Sequence, residues 1–262
     1  MKSDIMPFNM YGNVYFVGSS RVSVHIIKTE VGLVMIDTGY PVMYEQILDS
    51  MEMMGLDPKD ICAIFHSHGH LDHFGSTQKF KELSGAKTYI SRIDNDIVNG
   101  TYDLSWAKEL GLPHVEPFNC DVLVEDGDVF TFGSTKIRCR LAPGHTEGTL
   151  AIFVHIKENN GEVVAAMHGG IGRNSMEAKW LKEYGLSLDI RQTFLKGLRD
   201  LSSEKVDFVL GNHPNQSDTL GKLEKVQKGE SILNSEEWPE FLKRVEQRVL
   251  EMLEKEQREG IA

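Results

Sequence analysis

The feature that most constrains the fold of this chain is the segment HSHGHLDHFGS at residues 66–76, which places four histidines and one aspartate within eight positions. The apolar run DICAIF at 60–65 leads directly into this segment and predicts a short buried strand. Ionisable side chains are costly to bury unless hydrogen bonds or a metal satisfy them. The segment therefore predicts a metal site at the end of a buried strand.

The spacing of these side chains separates them into two sets. His68 and His70 are one residue apart, so on extended or tightly turning backbone both can face the same side. Asp72 and His73 follow at the predicted start of a helix, where neighbouring side chains diverge and can serve a second ion. Two imidazole nitrogens with a third from elsewhere would hold zinc tetrahedrally and leave a position for water.

Two further histidines follow predicted strands elsewhere in the chain. His145 lies in LAPGHTEGT within a Pro-Gly turn, and His213 lies in VLGNHPNQ before a proline. Functional residues collect in loops at strand ends because the scaffold holds them rigidly. The predicted ligands are His68, His70 and His145 for one metal, and Asp72, His73 and His213 for the other.

Short apolar runs and helical periodicities organise the rest of the chain into two β-rich blocks with helices. Predicted strands of the first block lie at 13–18, 23–29, 32–39, 60–65 and 87–91; those of the second lie at 121–126, 128–133, 135–143, 149–157 and 162–170, with one more at 206–214. Predicted helices lie at 42–56, from about 72 to 85, at 177–200 and at the C-terminus, about 236–258. This order predicts a layered α/β protein with two sheets, and not an alternating parallel sheet.

Composition narrows the class of protein. Hydrophobic residues make up 40% and charged residues 26% of the chain, and no linker divides it, so we expect one domain over 1–262. The net charge of −11 includes no large basic cluster, which favours a small-molecule substrate over a nucleic acid. No apolar stretch approaches the roughly 20 residues of a membrane span. The N-terminus lacks a signal-peptide pattern and the 3 cysteines form no CxxC pair, so we expect a cytoplasmic protein.

Several motifs together resemble the metallo-β-lactamase superfamily. Its hallmark, His-x-His-x-Asp-His followed by two distant histidines, matches residues 68–73 with His145 and His213. The turn IDTG at 36–39 and the segment PGHTEG at 143–148 match two further family segments, and the resemblance covers about 12–215. It implies a four-layer αβ/βα sandwich, the metallo-β-lactamase fold, with a dinuclear site at one edge between the sheets.

The chain departs from part of that pattern. Glyoxalase-type members carry a bridging aspartate after the Gly-His segment, and some lactamases carry a cysteine there. The corresponding strand end here reads AAMHGG at 165–170, in which His168 is nearest to that place. The chain therefore resembles most the lactamase subclass whose zinc sites are His-His-His and Asp-His-His.

The resemblance implies a zinc-dependent hydrolase with two Zn²⁺ ions, since nitrogen-rich sites suit zinc better than iron or manganese. It would cleave an amide, lactam, ester or lactone bond by a metal-activated hydroxide, in the manner of a β-lactamase, with Asp72 as the catalytic carboxylate. A cytoplasmic lactonase or glyoxalase-like thioesterase is the alternative, and a mononuclear iron sulfur dioxygenase is a remote one. The aromatic residues within 101–106 predict a lid over the cleft.

Other residues near the motifs have less specific roles. His66 is interpreted as a strand-end residue that is structural or supports a ligand. His168 either lines the pocket near the second metal or packs locally. Asp37 is interpreted as a scaffold or supporting residue, and not as a direct ligand. Arg173 and Asn174 either bind an anionic substrate group or belong to a solvated loop.

Overall fold

The computed structural model describes residues 4–159 and 161–261, whose strands form two sheets. The first sheet has the order β1-β2-β3-β4-β5-β6-β7, with β1 Phe8–Tyr11, β2 Val14–Phe16, β3 His25–Thr29, β4 Gly32–Ile36, β5 Ile61–Phe65, β6 Lys87–Ser91 and β7 Val122–Val124. The second has the order β12-β11-β10-β9-β8, with β8 Val129–Phe132, β9 Thr135–Leu141, β10 Leu150–Glu158, β11 Gly161–His168 and β12 Phe208–Val209.

The helices connect or follow these strands. They are α1 Tyr44–Met53, α2 Leu71–Phe74, α3 Thr77–Ser84, α4 Asn95–Val98, α5 Ala178–Glu183, α6 Ile190–Leu201, α7 Thr219–Gln227 and α8 Glu237–Glu259. Over 4–159 and 161–261, none of them combines the length and apolar character that crossing a membrane requires.

Strand direction determines where the functional loops meet. Strands β4, β5, β6 and β7 pair in parallel, whereas β1 to β4 pair antiparallel. The second sheet is antiparallel apart from the β11–β12 pair. Because parallel strands end at the same edge of a sheet, the segments after β4, β5 and β6 lie side by side.

Alternating side chains on the central strands divide the molecule into four layers. On β4, Val34 and Ile36 join the core between the two sheets, whereas Met35 faces the cluster beneath α1 and α3. On β10, Ile152 joins the core between the sheets and Phe153 packs in the cluster of α6 and α8. Each sheet is thus buried on both faces, which confirms the αβ/βα sandwich.

Most predicted elements are confirmed, including the C-terminal helix expected at about 236–258. The predicted strand at 121–126 is present as β7, but it belongs to the first sheet because it pairs in parallel with β6. The predicted helix at 177–200 is two helices, since Gly185 adopts φ +66° between them.

Two other predicted elements differ in length. The helix from about 72 to 85 consists of α2 and α3, with a break at Gly75 and Ser76. The strand predicted at 206–214 is reduced to β12. The chain leaves the sheet after Val209, and residues 211–213 belong to the loop that follows. Strand β1 had no counterpart among the predicted elements.

Candidate metal centre

The histidine-rich segment leaves the sheet at the end of β5. The His66 amide still donates to the carbonyl of Tyr89 at 2.9 Å, and the chain then turns into α2 after His70. The Ser67 carbonyl accepts a hydrogen bond of 2.9 Å from the amide of Leu150 at the start of β10. This bond joins the segment to the second sheet and places it beside the loop that carries His145.

The side chains predicted as ligands converge into two overlapping donor groups. One ligand atom from each of His68, His70 and His145 lies within 4.8 Å of the others, and the same holds for His68, Asp72 and His73. All five residues are buried. The Nε2 atoms of His68, His70 and His73 have no hydrogen-bond partner although they are buried. Because unpaired buried nitrogens are costly, this donor set fits a metal centre.

His213 approaches the second group from the loop after β12. Its Nε2 lies 3.6 Å from Asp72 Oδ2, and the Nε2 of His73 lies 3.3 Å from the same oxygen. The rings of His73 and His213 are 5.2 Å apart at their centroids. The structure thus brings together all six side chains predicted as ligands, and their binding of metal remains a prediction.

Hydrogen bonds on the far side of the rings fix their tautomers. Nδ1 of His73 donates to Asp37 Oδ2 at 2.7 Å, and Nδ1 of His145 donates to the Gly172 carbonyl at 3.0 Å. Nδ1 of His213 donates to the Arg21 carbonyl at 2.6 Å. Carboxylate and carbonyl oxygens only accept, so Nδ1 carries a proton in each ring, and the neutral form of each ring has its lone pair on Nε2. Contacts of this kind orient metal-ligating histidines.

Burial keeps three of these histidines neutral. It lowers the pKa of His145 to about 4 and lowers the pKa values of His68 and His70 well below their usual range. The neighbouring histidines lower them further, since a second positive charge in the cluster is unfavourable. Metal ligation requires the neutral imidazole, so the cluster supplies the required form at neutral pH.

The second group carries the opposite electrostatic pattern. Burial alone would raise the pKa of Asp72, but His73, His213 and His70 together outweigh burial and lower that pKa. Burial alone would lower the pKa of His73, but Asp72 and Asp37 raise it. Asp72 is therefore a carboxylate over the ordinary pH range, and a proton on His73 Nε2 is the one that a cation would replace.

His66 stands apart from both donor groups. Its Nδ1 donates to the Tyr89 carbonyl at 2.9 Å, and its Nε2 lies 2.7 Å from the Thr77 hydroxyl. Both ring nitrogens are thus engaged at the base of the segment. This geometry supports the structural interpretation of His66.

His168 lies at the end of β11, as predicted, but its ring packs on Phe194 with a centroid distance of 5.5 Å. Its Nδ1 faces the Gly170 amide at 3.4 Å. Within residues 4–159 and 161–261 it joins neither donor group. The arrangement favours local packing over a pocket role.

Arg173 and Asn174 begin the segment after β11. Arg173 donates to the carbonyl of Arg248 on α8 at 3.2 Å, and it lines a groove against that helix together with Asn174. The interpretation that they bind an anionic substrate group remains a prediction.

Asp37 lies beside the histidine segment, and its supporting role remains a prediction. Its Oδ1 accepts from the Ser67 amide at 2.7 Å, and its Oδ2 accepts from the Ser67 hydroxyl at 2.8 Å in addition to His73. Asp37 adopts φ +59°, a left-handed conformation that aspartate and asparagine tolerate better than most residues. This turn directs the carboxylate toward Ser67 and His73.

A buried aspartate that the sequence did not indicate connects the two ligand loops. Asp94 Oδ2 accepts from the Gly69 amide at 2.7 Å and the Thr146 hydroxyl at 2.6 Å. Its Oδ1 accepts from the Gly148 amide at 2.9 Å, an approach so close that a Cβ at Gly148 would stand 2.5 Å from Oδ1. Asp94 thus joins the loop of His68 and His70 to the loop of His145.

The model of the metallo-beta-lactamase superfamily matches residues 17–158. An uncharacterized protein of Aquifex aeolicus is 26% identical over 212 residues, which cover 79% of this chain and 90% of that protein. The hydroxyacylglutathione hydrolase GloC of Haemophilus influenzae is 26% identical over 132 residues, which cover 49% of this chain and 59% of that protein.

Among solved structures, the chain is similar to BJP-1, a subclass B3 metallo-beta-lactamase of Bradyrhizobium japonicum. The TM-score is 0.87 at 23% identity, over 98% of this chain and 97% of that one. At this identity the likeness shows the fold. Together with the family match, it shows that the chain belongs to the metallo-beta-lactamase superfamily and is a hydrolase of that superfamily.

Proposed function

We propose that the chain is a dinuclear zinc hydrolase that opens a lactam, amide, lactone or ester bond. Among these, we favour β-lactam-like substrates. The observation that carries this proposal is the pair of donor groups that share His68. The buried Nε2 atoms of His68, His70 and His73 have no hydrogen-bond partner. Asp72 Oδ2 lies within 4 Å of the Nε2 atoms of both His73 and His213.

The six side chains would divide between two ions. His68, His70 and His145 would hold one, and Asp72, His73 and His213 would hold the other. Five imidazoles and one carboxylate favour zinc over metals that prefer oxygen ligands. When bound, zinc in such sites lowers the pKa of water and polarises a carbonyl group.

Asp72 is the residue to which we assign proton transfer. Its carboxylate is ionised, and its side chain keeps 12% of its surface exposed, so one oxygen can meet an attacking water. From that position Asp72 can accept the proton of the water and return it to the leaving group. His73 and His213 hold the carboxylate in place from two sides.

Asp37 and Ser67 orient the histidine rings of the site. Asp37 holds His73, and it also holds Ser67, whose hydroxyl lies 3.0 Å from His68 Nδ1. One buried carboxylate thus orients one ring from each donor group. Preorganised contacts of this kind remove the cost of arranging the site during the reaction.

We also propose a small-molecule substrate, which the net charge of −11 supports. A lactonase or thioesterase is the second candidate, and the likeness to the hydroxyacylglutathione hydrolase of Haemophilus influenzae favours it. At the strand end where glyoxalase-type members carry a bridging carboxylate, this chain has His168, which packs on Phe194. This difference favours a lactamase-like hydrolase over a glyoxalase-like one.

A substrate panel on metal-quantified protein tests the proposal. We expect two zinc ions per chain and hydrolysis of a chromogenic cephalosporin, with Asp72→Asn inactive. Asp121→Asn, a change in a carboxylate that bonds Lys81 and Thr88, is the matched control and should retain activity. Activity on a lactone or thioester alone would replace the lactamase preference by the second candidate. One iron per chain with no hydrolysis would overturn the proposal.

A further inference from the structure

The backbone that carries His213 is the loop 210–216, which we call the His213 loop. It follows β12, a strand of 2 residues at the edge of the second sheet, and so short a strand gives the chain few ladder hydrogen bonds. Nδ1 of His213 donates to the Arg21 carbonyl, which orients the ring, and the Ser23 amide donates to the Asn212 carbonyl at 2.9 Å. The two ends of the loop are held by a buried ammonium group.

This group belongs to Lys222 on α7. Its Nζ donates to the carbonyl of Val209, directly before the loop, at 3.0 Å, and to the carbonyl of Ser217, directly after the loop, at 2.5 Å. Its third contact is the carboxylate of Glu237 on α8. A lysine ammonium has three protons to donate, and each of them has an acceptor here. Lys222 therefore joins the two ends of the loop that carries His213.

Glu237 completes this connection from α8. One of its carboxylate oxygens accepts from Lys222, and the other accepts from the Val209 amide at 3.0 Å. The side chains of Lys222 and Glu237 are only 6% and 17% exposed. Burial outweighs the attraction of Glu237 and keeps the pKa of Lys222 below its usual value, so the buried charge costs stability. The position that the pair gives to the loop explains it better than stability does.

Contacts within the loop connect Ser217 to His213. The Gly211 amide donates to the Ser217 hydroxyl at 2.9 Å, and the Gln216 amide donates to the His213 carbonyl at 3.0 Å. The loop is so closely folded that a Cβ at Gly211 would lie 2.6 Å from that carbonyl. A displacement of Ser217 would therefore move the backbone on both sides of His213.

We propose that Lys222, held by Glu237, is a positioning residue for His213 and raises the affinity of the protein for its second zinc ion. The proposal rests on the proposed function, because His213 would help to hold that ion. Lys222 would act through the backbone of the loop, and not by contact with the ion or the substrate. Its role differs from that of Asp37, which bonds the ring of His73 directly.

Lys222→Met tests this role, because methionine fills a similar space without a charge. Competition with a chromophoric chelator gives the Kd values of the first and the second zinc ion, and His213→Ala identifies which of them belongs to the site of His213. Loss of a contact that orients a ligand typically weakens metal binding about 10- to 100-fold. We expect Lys222→Met to raise the Kd of the His213 site at least about tenfold and to change the other Kd less than about twofold.

Arg191→Met is the matched control. Arg191 pairs with Glu256, and both side chains are 9% exposed, so this variant also breaks a buried ion pair. The pair joins α6 to α8, and Glu256 lies about five helical turns from Glu237 along α8. We expect Arg191→Met to lower the stability of the fold and to leave the Kd of the His213 site within about twofold of the wild-type value.

A double variant separates the position of the loop from the stability of the fold. Lys222→Met leaves the Glu237 carboxylate buried without its cation, which can be strongly destabilising. Adding Glu237→Gln removes that charge and keeps an oxygen for the Val209 amide. We expect the double variant to be more stable than Lys222→Met in denaturant unfolding. We expect its zinc binding at the His213 site to remain weakened, since no ammonium then joins the two ends of the loop.

Hydrogen–deuterium exchange of the metal-free protein reports on the loop without any ion. We expect the amides of 210–217 to exchange at least about tenfold faster in both Lys222 variants than in wild type or Arg191→Met. Wild-type zinc affinity in either Lys222 variant, unchanged exchange in the loop, or an equal effect of Arg191→Met would overturn the proposal. Fewer than two zinc ions on the wild-type protein would instead remove the proposed function. Loop exchange would in that case still decide whether Lys222 positions the backbone of His213.

Discussion

Replacement of Asp37 by asparagine offers the sharpest test of how the site is organised. Asparagine has nearly the same shape and tolerates the φ of +59° at this position. Its oxygen would remain toward the Ser67 amide, which can only donate. Its NH₂ group would then face His73 Nδ1, where the carboxylate now accepts at 2.7 Å. The imidazole would therefore have to accept at Nδ1 and carry its proton on Nε2.

That proton would occupy the atom of His73 that faces the donor group. Loss of a contact that orients a ligand typically lowers metal affinity by about 10- to 100-fold, or roughly 1.4–2.7 kcal/mol. We expect a loss of this size at the second site, since Asp72 and His213 are unchanged. Competition with a chromophoric chelator measures it, and denaturant unfolding of the metal-free protein shows whether the fold is retained.

Asp121→Asn is the matched control for this experiment. Asp121 also accepts a backbone amide and a hydroxyl, both from Thr88, and it pairs with Lys81. Thr88 lies near the start of β6, away from the strand ends that carry the ligands. Equal zinc affinity for wild type and Asp37→Asn, or an equal loss in Asp121→Asn, would refute the tautomer argument.

Three further predictions concern pH, loop connection and metal removal. Burial and the nearby His145 lower the pKa of His168 to about 3, so the unfolded chain binds the extra proton between pH 3 and 6.5 and stability falls as pH falls through that window. His168→Gln should reduce the loss between pH 7 and pH 5 by about 2 kcal/mol in urea unfolding, whereas exposed His114→Gln should not. Asp94→Asn has one acceptor oxygen, so it cannot accept from Gly69 and Thr146 on one side and from the Gly148 amide on the other, as the carboxylate does. It should weaken zinc binding several-fold in chelator competition, and wild-type affinity would exclude its positioning role. Zinc at 100 times its Kd should raise Tm by roughly 5–10 °C over chelated protein in scanning fluorimetry, and an unchanged Tm would contradict the metal centre.

The sequence could predict where His68 and His70 lie because the relevant information is local. The strand predicted at 60–65 leads directly into the histidine-rich segment, so it determines where His68 and His70 leave the sheet. His145 and His213 also follow predicted strands, so we could expect them to meet the histidine segment where the strands end. Asp37 follows β4, which pairs in parallel with β5, so its place near the segment could be predicted, and its supporting role remains a prediction.

What the sequence did not reveal depends on contacts between distant segments. The strand at 122–124 joins the first sheet only by pairing across a long connection from β6. Asp94 lies in a polar stretch without periodicity, and nothing local shows that it is buried between two loops. The aromatic contact between Trp106 and Trp180 joins segments more than seventy residues apart, which a pattern read along the chain cannot detect.

The distribution of the donors along the chain has a consequence for folding. The six side chains come from three segments separated by about seventy residues each, and these segments extend from the two different sheets. An ion held by residues from two such segments would close a long loop of the polypeptide, and loop-closure entropy makes such a clip most effective when the loop is long. The metal centre would then also cross-link the two sheets of the sandwich. The two sheets could separate during unfolding only after the ion is released.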